Sequence, residues 1–250
     1  MFMIFKNARL FKLIVFCSFF LLTVFFLPPL FTNILVLKKA YPVVTQQGKE
    51  VDVTFQNKRP GNWVSLGDVS KVALAAVVMS EDSNFWHHNG YDFEQIKKAM
   101  KINWKRKKYL RGASTITQQV AKNLFLYKKK SLERKIKELF LAVRLEKNLQ
   151  KSKILEIYMN IAEWGTGIYG IKNASQFYFN KPPSELTAKE GAFLAMLLPS
   201  PKRYSRTFQA KGLTSYAARR IEDILEKLYM TNHLSQEDFD RELREPLGVN

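Results

Sequence analysis

An uncharged apolar run from Leu13 to Leu37 constrains this chain more than any other feature. A helix of about 20 apolar residues crosses the hydrocarbon core of a bilayer, and this run is long enough to do so. A cleaved signal peptide has a shorter apolar core and a small-residue cleavage site, and no clear site of that kind is present. We therefore expect a transmembrane anchor at residues 13–37, preceded by a short N-terminal segment at residues 1–12. Pro28 and Pro29 would kink or end the helix, so a span nearer residues 11–30 is the alternative.

The direction of this anchor is ambiguous by charge count, because basic residues flank it on both sides. Lys6, Arg9 and Lys12 precede the run, and Lys38 and Lys39 follow it. The flanks of a first span usually dominate its orientation. We expect the N-terminus inside the cell and the remainder of the chain outside.

The rest of the chain predicts one mainly α-helical domain at residues 65–245, joined to the anchor by a linker or short extended segment at residues 38–64. From about Ser65 onward, apolar residues recur at helical spacing and Ser or Thr stands at several helix starts. One helix is expected after Ser131, and its apolar positions are predicted to face a core: Leu132, Ile136, Leu139, Phe140 and Val143.

The formal net charge of +18 favours anionic binding partners such as lipid or nucleic acid. Basic residues alternate with apolar and aromatic ones within residues 97–111, and no acid interrupts them. Such a segment is either a solvated helix face or a surface for anionic lipid, where each basic side chain contributes roughly 1 kcal/mol. The nearby anchor favours lipid over nucleic acid. A single cysteine, Cys17, excludes an internal disulfide, and only three histidines argue against a histidine metal site.

Glu81 and Glu138 are the candidate catalytic acids. An aromatic, turn-forming stretch follows Glu81, and burial there would raise the carboxyl pKa and make it a better base near neutral pH. Glu138 opens an apolar run, with Arg134 and Lys135 one turn before it. Each acid also has a non-catalytic interpretation. Glu81 can belong to a solvated acid pair, and Glu138 can be half of a helix-surface ion pair.

Four cations accompany the second acid in the sequence, namely Lys122, Lys130, Arg134 and Lys135. They could gather near the N-terminus of the helix that follows Ser131, which is a favourable place for an anion. On this functional reading, Glu138 is a buried acid among phosphate-binding cations.

Taken in order, the motifs resemble those of the monofunctional biosynthetic peptidoglycan glycosyltransferases, glycosyltransferase family 51. The resemblance covers about residues 65–203, and several ordered motifs make it specific. Residues 161–165 and 167–170 resemble the proteobacterial branch. The four motifs are matched by Glu81, Asp82, Phe85, His88, Gly90 and Asp92, then by residues 112–123, 134–138 and 153–160.

The resemblance implies a lysozyme-like catalytic domain with a small membrane-associated lobe, which falls at residues 93–111. It implies that lipid II, an undecaprenyl-pyrophosphate-linked disaccharide-peptide, is polymerised with inversion into β-1,4 glycan strands. Glu81 matches the general base, and Glu138 matches the second acid, which supports the leaving group or its cations. Lys130 stands where the family often has arginine, so bidentate geometry is lost there. The implied substrate-binding residues are Asp82, Phe85, His88, Ser114, Thr115, Gln118, Lys122, Asn123, Lys130, Arg134 and Lys135.

The resemblance also implies which other molecules the protein meets. No tightly bound cofactor is expected, although a divalent cation, Mg²⁺ or Mn²⁺, can accompany the substrate pyrophosphate. The expected partners are lipid II, the growing glycan chain, the bacterial membrane and cell-division or cell-wall synthesis proteins, with no nucleic acid. The expected location is the bacterial inner membrane, with the catalytic domain in the periplasm. Neither Ser-x-x-Lys nor Lys-Thr-Gly occurs, so no transpeptidase activity is expected.

Two rival functions stay open at this point. A membrane-anchored hydrolase of lysozyme type would cleave glycan with Glu81 as an acid, but it needs neither the cation cluster nor the membrane-facing stretch. A non-enzymatic scaffold of the cell-wall machinery would keep its function after Glu81→Gln.

Overall fold

A computed structural model of the protein describes residues 12, 15–16, 31–48, 50–107, 112–126 and 131–248. This described part is mainly α-helical, as predicted, while the lysozyme-like character stays a prediction. Two short antiparallel hairpins accompany the helices. The helices are α1 (Lys71–Glu81), α2 (Phe93–Arg106), α3 (Ile116–Phe125), α4 (Leu132–Asn148), α5 (Lys151–Ile161), α6 (Ile171–Phe179), α7 (Ala188–Leu197), α8 (Pro201–Lys211), α9 (Ser215–Met230) and α10 (Gln236–Arg244). The strands are β1 (Tyr41–Gln47), β2 (Glu50–Gln56), β3 (Glu163–Gly165) and β4 (Ile168–Tyr169).

Helix α7 lies at the centre of the core, and all of its residues except Lys189 are buried. It packs against α1 and α9. The contact with α1 is close because position 191 is glycine: a Cβ there would lie 2.6 Å from the Cα of Ala73. Since α1 ends at Glu81, this crossing fixes the helix that carries the first candidate acid.

Helix α3 is the second element that positions the site, and it packs between α4 and α5. A capping box forms at its start, where Thr115 and Gln118 exchange side-chain and backbone hydrogen bonds. The loop between α1 and α2 passes close to α4 at Gly90, whose φ is +95° and whose Cβ would lie 2.9 Å from the carbonyl carbon of Ala142. A larger residue at Gly90 would therefore push this loop off α4.

Residues 38–64, expected to be a linker or short extended segment, contain the β1–β2 hairpin, in which Val44 pairs with Val53. The hairpin packs on the core through partly buried apolar side chains. Beyond it, the Asn160 side chain accepts from the Val64 N–H and donates to the Val64 carbonyl, both at 2.8 Å. The whole segment is thus attached to the domain.

Most of the predicted anchor at residues 13–37 lies outside the described residues. Within the parts of the chain that are described, no helix is long and apolar enough to cross a membrane. The C-terminal end of the predicted span needs correction, because Ile34 and Leu37 are buried in the protein core as part of the 3₁₀ turn Ile34–Lys38. Apolar contacts with the domain, rather than with lipid, account for their hydrophobicity.

Exposed apolar side chains cluster on α2 and on the first half of α4. On α2 only Ala99 is buried, and Trp104 is 88% exposed among several lysines. On α4 the predicted core stripe is wrong at three positions, since Leu132, Ile136 and Leu139 are exposed. Periodicity placed these residues on one face correctly, but no described element covers that face.

Candidate active site

Glu81 is the last residue of α1, and its carboxylate is held by α3: Gln119 Nε2 donates to Glu81 Oε2 over 2.7 Å. Within the described residues, Oε1 accepts no hydrogen bond. The carboxyl keeps partial solvent contact, yet surrounding protein desolvates it, and this raises the Glu81 pKa above its ordinary value. Asp82 adds to the rise, whereas Gln119, Lys122 and Arg220 oppose it. A carboxyl with these surroundings is suited to accept a proton near neutral pH.

Tyr158, on α5, extends this contact by one more hydrogen bond. Its hydroxyl donates to Gln119 Oε1 over 3.3 Å, and the side chain is almost fully buried. Burial and the charges of Glu81 and Asp82 raise the Tyr158 pKa well above its ordinary value. The phenol therefore stays protonated. Sequence reasoning missed both Gln119 and Tyr158, although Gln119 lies one turn before Lys122 on α3 and could have been found from that spacing.

Asp82 and His88 form a buried pair beneath Glu81. His88 Nε2 lies 3.0 Å from both carboxylate oxygens of Asp82, and the Gly90 N–H donates to His88 Nδ1 over 3.1 Å. With Nδ1 accepting, Nε2 is the ring nitrogen that donates to the Asp82 carboxylate. Asp82 Oδ2 also accepts from the Ile116 N–H at the start of α3. These contacts support an organising role, and substrate binding by Asp82 and His88 stays a prediction.

Glu138 is buried on α4 and accepts two charged donors. Arg134 Nη1 lies 2.8 Å from one oxygen and Lys135 Nζ lies 2.6 Å from the other. Lys135 Nζ also donates to Ser114 Oγ over 2.7 Å, which ties the loop before α3 to α4. The structure therefore brings together Glu138, Arg134, Lys135 and Ser114, as the sequence predicted for the two cations.

The charge of Lys122, on α3, interacts with both candidate acids. Both Glu138 and Glu81 act on it, as do the like charges Arg134 and Lys135. Burial lowers the Lys122 pKa more than any of these charges changes it. Within the described residues, Lys122 Nζ has no hydrogen-bond or ion-pair partner. An anion beside it would supply the compensating charge that the fold does not provide.

Of the remaining predicted site residues that the structure describes, three are buried and one is partly exposed. Phe85 is fully buried, and Lys151 Nζ stands 4.3 Å from its ring centroid. Thr115 and Gln118 are also buried in the capping box of α3. Asn123 is partly exposed on the same helix. Lys130 lies outside the described residues.

The side chains that the structure describes do not form a metal cage. Among the described residues, no group of three or more His, Cys, Asp or Glu side chains is placed to hold a metal ion. The carboxylates of Asp82 and Glu138 are already engaged by protein donors. These residues therefore do not fit a resident metal. A divalent cation that arrives with the substrate pyrophosphate stays a prediction.

Comparison with known proteins decides the family. A family model described as "Transglycosylase" matches residues 47–229. The chain belongs to the transglycosylase family. This confirms the resemblance inferred from the motifs and the prediction that the protein is an enzyme.

Named relatives of this transglycosylase cover most of its length. The biosynthetic peptidoglycan transglycosylase of Mannheimia succiniciproducens is 41% identical over 201 residues, which are 80% of this chain and 82% of that protein. The protein of the same name from Haemophilus influenzae is 42% identical, over 76% of this chain and 77% of that protein. Penicillin-binding protein 1A of Aquifex aeolicus is 37% identical over 75% of this chain but only 25% of its own length.

Proposed function

We propose that this enzyme polymerises lipid II into β-1,4-linked glycan strands of peptidoglycan by an inverting transfer that releases undecaprenyl pyrophosphate, without transpeptidation. The names of the two relatives that match over most of their length support peptidoglycan as the product class. The observation that carries the proposal is the pairing of a desolvated carboxyl, Glu81, with a cluster of cations around Glu138.

Glu81 acts as the general base in this scheme. Its free Oε1 takes the proton of the acceptor sugar 4-hydroxyl as that oxygen attacks C1 of the donor. One displacement forms the new C1–O bond and breaks the bond to the pyrophosphate, so the configuration at C1 inverts. Glu81 then releases the proton to solvent. A positioned base contributes about 10²–10⁴-fold to the rate.

The cations act on the leaving group. Negative charge develops on the pyrophosphate as its bond to C1 breaks, and Lys122 is the cation without a protein partner in the described part of the site. Arg134 and Lys135 hold the buried Glu138, and their positive charges add to the field that stabilises the developing anion. Charge placed in advance where charge develops lowers the barrier without reorganisation during the step.

The membrane supplies the substrate, and α2 is the surface that we propose contacts it. Trp104, Met100 and Phe93 are exposed on this helix beside Lys97, Lys101 and other basic residues. Exposed aromatic and basic side chains on one short helix suit the interface of an anionic bilayer. The inner membrane, with the site on the periplasmic side, is accordingly the proposed location.

The deciding experiment incubates the detergent-solubilised protein with labelled lipid II, alongside Glu81→Gln. We expect muramidase-sensitive polymer from the wild type and a loss of about 10²–10⁴-fold in the variant. Degradation of pre-formed glycan without polymer would replace the proposal by the hydrolase. Equal polymer from both proteins would keep the enzyme class and remove Glu81 from its assigned role.

A further inference from the structure

Three helices meet in one chain of hydrogen bonds that ends on Glu81. Tyr158 of α5 donates to Gln119 Oε1 of α3 over 3.3 Å. Gln119 Nε2 in turn donates to Glu81 Oε2 of α1 over 2.7 Å. A side-chain amide ends in a carbonyl oxygen, which accepts hydrogen bonds, and an NH₂ group, which donates them. The orientation of the amide therefore depends on the partners that surround it.

The Tyr158 hydroxyl determines the orientation of the Gln119 amide. A hydroxyl as deeply buried as that of Tyr158 needs an acceptor, and Gln119 Oε1 is the acceptor that the structure gives it. With Oε1 committed to Tyr158, the amide nitrogen must face Glu81. The reverse orientation would set Gln119 Oε1 against the Glu81 carboxylate and leave the phenol without an acceptor, and both changes cost free energy.

We propose that Tyr158 is a positioning residue for the general base: its hydroxyl locks the Gln119 amide, which holds Glu81 Oε2 and leaves Oε1 directed at the acceptor hydroxyl. Tyr158 touches no reacting atom and acts only through Gln119. This inference rests on the proposed role of Glu81 as the base.

The expected pH effect has a definite sign. The charged groups that act on Glu81 are Asp82 on its own loop, Lys122 from α3 and Arg220 from α9, and none of them changes in Tyr158→Phe. The hydrogen bond from Gln119 lowers the Glu81 pKa against the effect of burial. Weakening that bond therefore moves the pKa upward. The acid limb of the pH–rate profile follows it to higher pH, because more of the base is protonated at a given pH.

The test compares Tyr158→Phe with Tyr178→Phe in the full-length protein, using lipid II polymerisation across a pH series. Tyr178 is an equally buried tyrosine that donates to the Trp164 carbonyl over 3.0 Å, away from the site. We expect Tyr158→Phe to lose about 3- to 10-fold in kcat/KM at neutral pH, as loss of one neutral hydrogen bond implies. The loss should shrink as the pH rises, and Tyr178→Phe should show no change in the profile.

A double-mutant cycle separates action through Gln119 from a general packing effect. If Tyr158 works only by holding the amide, Tyr158→Phe should cause no further loss in a Gln119→Ala background. Additive losses, or a loss in Tyr158→Phe with an unchanged pH profile, would overturn the proposal. The cycle stays decisive if the phenol also contributes to folding, because stability loss alone does not move the acid limb.

A direct titration keeps this inference distinct from the proposed function. Glutamate-specific ¹³C labelling reports the Glu81 pKa by NMR in detergent, with the signal assigned from its loss in Glu81→Gln. We expect the pKa to rise in Tyr158→Phe and to stay unchanged in Tyr178→Phe. An unchanged pKa in Tyr158→Phe refutes the positioning role even if the enzyme polymerises lipid II. A raised pKa in Tyr158→Phe together with a failure of the wild type to polymerise lipid II would refute the proposed function, and with it the base role of Glu81, but not the hold of Tyr158 and Gln119 on the Glu81 carboxyl.

Discussion

The Arg134 guanidinium and the Glu138 carboxylate form a nearly buried ion pair, with Nη1 2.8 Å from Oε2 and side-chain exposures of 12% and 2%. Removing one member of a buried pair leaves the other charge without compensation. We expect Glu138→Gln to lower the free energy of unfolding by about 2–4 kcal/mol, below the full range for complete burial because Lys135 is partly exposed. Urea denaturation measures the change.

Glu133 on the same helix offers a matched control. It also pairs with a cation four residues away, since Lys137 Nζ lies 2.5 Å from its carboxylate, but its side chain is 38% exposed. Glu133→Gln should cost less than about 0.5 kcal/mol, because water already screens the pair. Equal losses in the two variants would show that burial does not set the strength of the Arg134–Glu138 pair.

Glu81 should make the protein less stable as the pH rises. Its folded pKa lies above the ordinary value of 4.5, so the folded state binds the proton more tightly than the unfolded state does. Stability then falls between 4.5 and the folded pKa as the pH increases. Glu81→Gln should therefore melt at a higher temperature than wild type at neutral pH, and the difference should vanish below pH 4.5. A constant difference at all pH values would contradict this prediction.

Lys122 should bind pyrophosphate more than it supports the fold. Its lowered pKa reflects an ammonium that burial disfavours, and nearby Arg134 and Lys135 add to this effect. We expect Lys122→Met to weaken inorganic pyrophosphate binding by about 10-fold, equivalent to one lost charge-assisted contact, without loss of thermal stability. Isothermal titration calorimetry provides the affinity. Lys137→Met, whose charge is paired with Glu133, should bind as the wild type does.

The exposed face of α2 should bind anionic lipid. Trp104 is 88% exposed, so its replacement by serine removes apolar surface that the fold does not use. We expect Trp104→Ser to lower the partition constant for phosphatidylglycerol vesicles, measured by co-sedimentation, about 30-fold, since burial of such a side chain contributes roughly 2 kcal/mol. Met230→Ser, at the end of α9 and 68% exposed, is the control and should bind normally. Equal binding of all three proteins would exclude α2 as the contact.

Glu242 should anchor the last helix to the core. Its carboxylate accepts from the Lys189 N–H over 2.8 Å and from Thr187 Oγ1 over 3.2 Å, at the N-terminus of α7. A carboxylate there is favoured by the helix dipole. Glu242→Gln should lower the free energy of unfolding by about 1–2 kcal/mol and leave polymerisation unchanged. Glu222→Gln, on the exposed face of α9, should change neither property.

The helical frame and the charged centre of the site could be read from the sequence because both depend on local signals. Ser131 caps α4, as its pattern predicts. Arg134 and Lys135 meet Glu138 because residues three and four apart share a helix face.

Features set by tertiary contact escaped sequence reasoning. The exposed stripe at Leu132 and Ile136 was misjudged, because spacing shows which residues share a face but not what covers it. The attachment of residues 38–64 depends on partners about 96 positions away, as between Val64 and Asn160. The contact between Tyr158 and Gln119 joins separate helices in the same way, so its chemistry gave no local signal.

The close approach of Gly191 to Ala73 has a consequence for engineering this enzyme. Replacing glycine inside a helix by alanine is a common way to stabilise proteins, with a gain of about 0.4–1 kcal/mol. Here the added methyl group would meet the backbone of α1 at 2.6 Å and force the two helices apart. Because Glu81 is carried at the end of α1, a substitution chosen to improve heat tolerance would misalign, from across the core, the carboxyl that we propose as the base.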